Sequence, residues 1–288
     1  WTNNAKGKAG VTCSIVALSK KNYKKKKYIY EKNRILTCSN INPYLVPGKD
    51  VIVYSRQKPL DTQTSEMIFG SMPNDSGNLI LNLSEKNLLI ERDLNYKKFI
   101  KPLIGSHEFF NGIKRFCFWL REIDKEEYKN LPELQKRIEK TKQARSRSNR
   151  AATKKLSNTP HLFGEIRQPV KGKYILYPSF CSETRDYVPI DFLDSEIIAT
   201  NTTHIIPNAT LYDFGVIESK MHMAWMKCIT GRLKNDYNYS VKLVYNNFPW
   251  PSVNLNQKKI IEECSIEILE EREKFSEKTF AQMYNKDT

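Results

Sequence analysis

Apolar residues in this chain come in short runs separated by turn formers, with helical periodicity confined mainly to its second half. Val11–Leu18 (VTCSIVAL) is nearly continuous and predicts a strand buried on both faces, with Tyr28–Ile35 as its hairpin partner. Such a strand needs sheet neighbours, so the pair reads as the last strands of a sheet whose other members lie elsewhere. Turns at Asn42-Pro43 and Pro47-Gly48, a short strand at Val51–Tyr54 and a polar connector at Asp61–Glu66 follow. Met67–Gly70 and Leu79–Leu83 flank a turn at Pro73–Gly77 and predict a β-rich unit. Asn87–Leu94 and Lys97–Ile104 read as helical, and Ile113–Leu120 (IKRFCFWL) as a strand.

From Pro132 a helix is predicted, with Leu131, Leu134 and Ile138 on one face. Beyond Ile138 the apolar stripe fades and basic residues take over through Lys155. Strands at Tyr174–Tyr177 and Tyr187–Ile190 flank the polar segment Ser182–Asp186, and short ones follow at Ile197–Ala199 and His204–Ile206. Glu218–Leu233 predicts an amphipathic helix facing inward through Met221, Ala224, Trp225 and Cys228. A final helix over Asn256–Glu277 would bury Ile261, Cys264, Ile268 and Phe275 and turn six Glu outward. The expected class is α+β, a mixed β-sheet domain with a long basic helix and a helical C-terminal part.

The 47 basic and 32 acidic residues leave a net charge of +15. Residues 20–27 (KKNYKKKK) carry +6 and residues 136–155 carry +8, so the other 260 residues are nearly neutral. The Lys-only patch reads as an exposed hairpin tip. The second patch mixes Arg with Ser, Asn, Thr and Gln, the side chains that hydrogen-bond phosphates and base edges, and points to nucleic acid. No run is long and apolar enough to span a membrane, no signal peptide opens the chain, and no membrane partner is expected. The start on Trp1 instead of Met suggests a piece of something longer. Six cysteines without a CxxC pair suit buried thiols in a reducing cytoplasm. The four histidines show no metal-ligand spacing, and His222 between Met221 and Met223 reads as a packed helix residue.

Catalytic motifs do not emerge. Asn42-Pro43-Tyr44 lacks the second proline of the N-P-P-Y tetrapeptide that holds a target amine in amino-methyltransferases. Gly7 and Gly10 make no phosphate cradle, and Glu127-Tyr128-Lys129 is too short to mark a nuclease. Recognition chemistry is better represented. On an extended segment Glu183 and Arg185 point the same way, so both can reach one base pair, Arg donating to guanine and Glu accepting from cytosine N4. An ordinary surface ion pair fits the same spacing.

Several segments resemble the C-terminal half of MmeI-like type II restriction–modification enzymes, which join an endonuclease and an adenine-N6 methyltransferase to a target-recognition domain. They include Trp1–Leu18, INPYLV from Ile41, GSMPNDSGNLIL from Gly70, Phe99–Leu120, Thr159–Phe163 and Ser182–Ile190. The longest is Ile206–Pro251, with NATLYDFG, MHMAW, GRLKNDYNYS and VYNNFPWP. The resemblance implies terminal methyltransferase strands and a connector over residues 1–60, a target-recognition domain over 61–212 and a helical region over 213–288. It assigns base reading to Glu183 and Arg185, with Ser182 beside them, and implies double-stranded DNA as partner. Asn149 and Arg150 would then lie near base edges, while Lys142, Arg145, Arg147, Lys154 and Lys155 neutralise phosphates. Arg232, Lys234, Tyr237 and Tyr239 would add backbone contacts, with core packing the other reading of the two tyrosines. S-adenosylmethionine and Mg2+ are implied for the full-length enzyme, bound by upstream methyltransferase and nuclease domains of the same chain and not by these residues. An RNA-binding module, stacking bases on IKRFCFWL, and a non-catalytic protein-interaction domain remain the alternatives.

Overall fold

The computed structural model describes residues 14–20, 25–31, 34–61 and 64–285. Residues 21–24 of the Lys-only tip, and Val11–Cys13 of the first predicted strand, lie outside them. Residues 14–18 form no strand, and Ile15 and Leu18 are exposed, because no described strand pairs with them. The segment expected to be a single partner strand makes its own antiparallel hairpin, β1 (Lys27–Glu31) against β2 (Arg34–Cys38). Val51–Tyr54 is likewise irregular. It runs into a stretch tied to the far end of the chain, where Arg56 N and Leu60 N donate to the carbonyls of Lys242 and Asn246.

The next strands are β3 (Ile68–Phe69) and β4 (Ile80–Asn82), followed by α1 (Leu83–Arg92). Asn82 caps α1 by accepting from Glu85 N, and the Glu85 carboxylate accepts from Asn82 N in return. A 3-10 turn over Leu94–Phe99 leads into β5 (Ile100–Ile104), α2 (Ser106–Asn111) and β6 (Arg115–Phe118). The helix expected over 97–104 is thus mostly strand, since Pro102 cannot donate within a helix, while Ile100 and Leu103 are buried on opposite faces of β5. Helices α3 (Lys125–Tyr128), α4 (Pro132–Ser146) and α5 (Ala151–Lys155) come next. The basic stretch is therefore two helices with a break at residues 147–150.

The second half contributes β7 (Lys173–Pro178), β8 (Phe180–Cys181), β9 (Asp191–Asp194), β10 (Ile198–Ala199) and β11 (Thr203–Pro207). Tyr187–Ile190, expected as a strand, is irregular although Val188 and Ile190 are buried. Pro189 removes a donor a ladder would need. One sheet has the order β10-β5-β6-β4, parallel only between β10 and β5, and the other, β3-β11-β7-β9, is antiparallel throughout.

After α6 (Leu211–Ile217), the helix expected over 218–233 is the shorter α7 (Lys220–Ile229), which starts where Ser219 accepts from His222 N and gives way to strand at residues 231–233. Its buried face differs from the expected one: His222, Met223 and Met226 are buried, while Met221 and Cys228 are exposed. A hairpin of β12 (Gly231–Leu233) and β13 (Asp236–Asn238) then pairs with β8. The last helices are α8 (Leu255–Glu273) and α9 (Phe280–Met283). α8 buries Ser265 and leaves Cys264 and Phe275 exposed, contrary to the expected face. A Cβ on Gly215 would stand 2.5 Å from Ser265 Oγ, so α6 and α8 close around a glycine.

Two main cores result. Leu81, Tyr96, Phe99, Phe118, Leu131 and Leu134 pack together with α1 and α4. Ile175, Tyr177, Ile206, Phe214, Met226, Tyr237, Tyr239 and Tyr245 pack together with α6 and α7.

Candidate nucleic-acid interface

The inner face of α4 continues past its apolar residues. Leu134, Ile138, Thr141 and Arg145 follow one another at helical spacing, and Arg145 is 1% exposed. Its guanidinium donates to five carbonyls: Pro73 and Asn74 at 2.9 and 2.8 Å, Leu156 and Thr159 at 3.0 and 2.9 Å, and Leu162 at 2.7 Å. Burial lowers its pKa, and the buried carboxylate of Asp75 opposes that. Arg145 therefore cannot serve as a phosphate contact, because all its donors are spent inside the protein. It joins the end of α4 to the turn at 73–74 and to the chain that follows α5.

Around this anchor the remaining basic residues face out. Lys142, Arg147, Asn149, Arg150, Lys154 and Lys155 are all exposed. Among the described residues no Asp or Glu forms an ion pair with any of these five cations. Earlier on the same helix the cations are matched: Lys136 lies 3.9 Å from Glu133, and Arg137 lies 2.6 Å from Glu85. The last turn of α4, the break and α5 thus present a ribbon of unneutralised positive charge on a frame fixed from beneath.

A second exposed feature is the loop after β8. Ser182–Asp186 is a turn and not the extended segment expected, since the Ser182 carbonyl accepts from Arg185 N at 3.3 Å and its hydroxyl from Thr184 N. Glu183 and Arg185 are accordingly held by different elements. Glu183 accepts from Arg232 Nη1 of the β12–β13 hairpin at 2.9 Å. Arg185 lays its guanidinium 4.3 Å from the Phe110 ring of α2. The hairpin is joined to β8 with Tyr237 opposite Cys181 and Asn238 opposite Phe180, so the strand that leads into this loop and the hairpin share one small sheet. Lys234 projects from the hairpin turn in the left-handed conformation, φ 57°, and is exposed. Beside the loop, Asp186 and Tyr187 line one side of an open cleft of about 530 Å3, with Lys220, Met223 and Lys227 of α7 on the other.

The tyrosines of GRLKNDYNYS are core residues and not backbone contacts. Tyr237 is 5% and Tyr239 4% exposed, and the Tyr239 hydroxyl lies 3.0 Å from His222 Nε2. Burial raises the Tyr239 pKa far above that of a free phenol and lowers His222 to about 4, so the pair is neutral. Burial also closes the aromatic strand to base stacking: Phe116 and Phe118 are buried, and Trp119 packs edge-on against Phe163. Among the described residues no three His, Cys, Asp or Glu side chains converge to hold a metal. No described helix is long and apolar enough to cross a membrane. Cys117 and Cys181 are buried thiols, and the Asn42-Pro43-Tyr44 segment is a turn in which Asn42 Oδ1 accepts from Tyr44 N.

Sequence reasoning placed Arg145 outside because hydropathy treats every Arg as outward. The signal available was its phase, eleven residues after Leu134 on the same stripe. It also missed Phe110, which no spacing rule connects to Arg185.

Comparison with known proteins adds three findings. The family model described as MmeI, target recognition domain, matches residues 47–252. DNA methyltransferase A of Bacillus subtilis (strain 168) is 38% identical over 288 residues, covering all of this chain and 32% of the relative. The solved structure of the type IIL restriction-modification enzyme MmeI in complex with DNA superposes with a TM-score of 0.90 at 35% identity, covering 100% of this chain and 39% of that one. The chain thus spans between a third and two fifths of the length of these relatives.

Proposed function

The chain belongs to the MmeI target-recognition-domain family, and from that premise we propose that it reads the sequence of duplex DNA for a restriction–modification enzyme. The observation that carries this reading is the ribbon from Lys142 to Lys155, whose exposed cations find no acidic partner among the described residues. Lys142, Arg147, Lys154 and Lys155 neutralise phosphates, with Lys234 at the hairpin tip and Ser182 adding contacts to the backbone. These interactions supply affinity and register without sequence information. Glu183 and Arg185 read base edges from the turn, and Asn149 and Arg150, at the break between α4 and α5, reach toward bases as well.

In the full-length protein this grip would position one adenine for N6-methylation and the duplex for cleavage. S-adenosylmethionine and Mg2+ would serve methyltransferase and nuclease parts upstream on the same chain, in the cytoplasm. The buried aromatic strand disfavours single-strand or RNA stacking.

Equilibrium binding to duplex DNA, duplex RNA and single strands tests the reading. Duplex DNA should bind tightest, with an affinity that falls steeply as salt rises. Equal or tighter binding of RNA would overturn it.

A further inference from the structure

We infer that Arg232 is a specificity-determining residue that holds Glu183 in the one orientation able to read a base, and is not itself a phosphate ligand. This rests on the reading of Glu183 as a base contact.

A carboxylate that discriminates between bases must present a lone pair at a fixed point, because an amino group on the wrong base lies only a few ångströms away. Glu183 stands on an exposed turn and would otherwise rotate freely. Arg232 removes that freedom. It occupies one carboxylate oxygen, Oε2, at 2.9 Å, leaving Oε1 open to accept from an amino group such as cytosine N4.

Arg232 is itself fixed twice over. Its guanidinium lies 4.5 Å from the Tyr237 ring, and Nη1 also donates to the Asn235 carbonyl at 3.2 Å. Tyr237 is buried and stands opposite Cys181, two residues before Glu183, so sheet pairing sets the guanidinium and the carboxylate in register.

Charge supports the same assignment. A lone carboxylate brought against DNA is repelled by phosphates, whereas the Glu183–Arg232 pair is neutral and approaches without that penalty. In the free protein both side chains remain about two-fifths exposed, 42% and 41%. Such a pair adds little to fold stability. Its effect should appear only when DNA covers the pair and removes the water.

The test is R232Q in the full-length protein, scored by methylation of the four sequence variants at the base pair that Glu183 reads. Discrimination against the wrong pairs should fall about tenfold, within the range of one good base contact, with an unchanged melting temperature. In an E183A background R232Q should have no further effect on selectivity. Uniform weakening for every sequence, with selectivity intact and the salt slope lower by about 0.9, would overturn the inference and make Arg232 a phosphate contact. If E183A itself leaves selectivity at wild-type level, it is the base-reading role of Glu183 that fails.

Discussion

Helices α4 and α8 share an inner face and differ in their outer one. In α4 the buried stripe is Leu134, Ile138, Thr141 and Arg145; in α8 it is Ile261, Ser265, Ile268 and Arg272, with the same spacing. Both stripes end on an arginine turned inward. Arg145 satisfies five carbonyls, whereas Arg272 donates to the Ile190 carbonyl at 2.7 Å, to buried Glu218 at 2.8 Å, and to the Tyr284 hydroxyl. On the outer face of α8 each cation has an acid one turn away: Lys258 with Glu262, Lys259 with Glu263, and Lys274 with Glu271. The end of α4 and the whole of α5 have none. Two helices anchored alike can thus be given opposite partners by their solvent faces alone. α8 matches its own cations and keeps an excess of Glu, and α4–α5 must find an anion elsewhere.

The largest effect should come from the shared anchor. Arg145→Met strands five carbonyls and should cost about 3–5 kcal/mol, while Arg147→Ala, two residues on, should stay within about 0.5 kcal/mol. Urea unfolding distinguishes them, and equal effects would abolish the division between anchor and ribbon.

Next in size is the outer face. Replacing Lys142, Arg147, Lys154 and Lys155 together by Ala should weaken duplex binding on the order of a hundredfold near 0.1 M salt, and lower the log–log salt slope by about 3.6. The same treatment of Lys258, Lys259 and Lys274 should change neither, since their charges are already matched.

A smaller effect separates the two anchors by pH. Burial pushes the Glu218 carboxyl up to about 7, against the opposing pull of Arg272 and Tyr284. A folded-state pKa above the unfolded value means stability that is full below about pH 4.5 and lost as pH rises through 7. Arg272→Met removes the opposing charge, so its cost should grow with pH by up to about 1.4 kcal/mol per unit. The cost of Arg145→Met should not rise in this way above about pH 7, because its five carbonyl partners do not titrate and the titrating group that senses its charge, His161, is a base whose pKa burial and then Arg145 lower. Parallel slopes for the two variants would show that Glu218 is not the group responsible.

Much of the scaffold was legible because local preferences and tertiary burial agreed. Tyr174–Tyr177 and His204–Ile206 are apolar runs that became paired inner strands, and Pro132 starts α4 where proline suits a first helical turn. Legibility failed where side-chain hydrogen bonds decided the outcome. Ser219 starts α7 two residues after α6 ends, and Ser182 converts an extended segment into a turn. Arg145 was unreadable because its acceptors come from residues 73–74 and 156–162, which only the folded chain brings together. Glu183 and Arg185 were singled out as candidate readers by their spacing and by family resemblance; the groups that hold them, Arg232 and Phe110, required the structure.

The central claim is that the turn after β8 chooses one base pair, while Lys142, Arg147, Lys154 and Lys155 of the ribbon hold the duplex by its phosphates. Exchanging Glu183 and Arg185 for each other in the full-length protein, and sequencing the sites it methylates, tests this most directly. The account predicts an altered preference at one base pair, worth about 1–3 kcal/mol of discrimination, with the salt slope unchanged. Methylation of the original site with undiminished selectivity would contradict it.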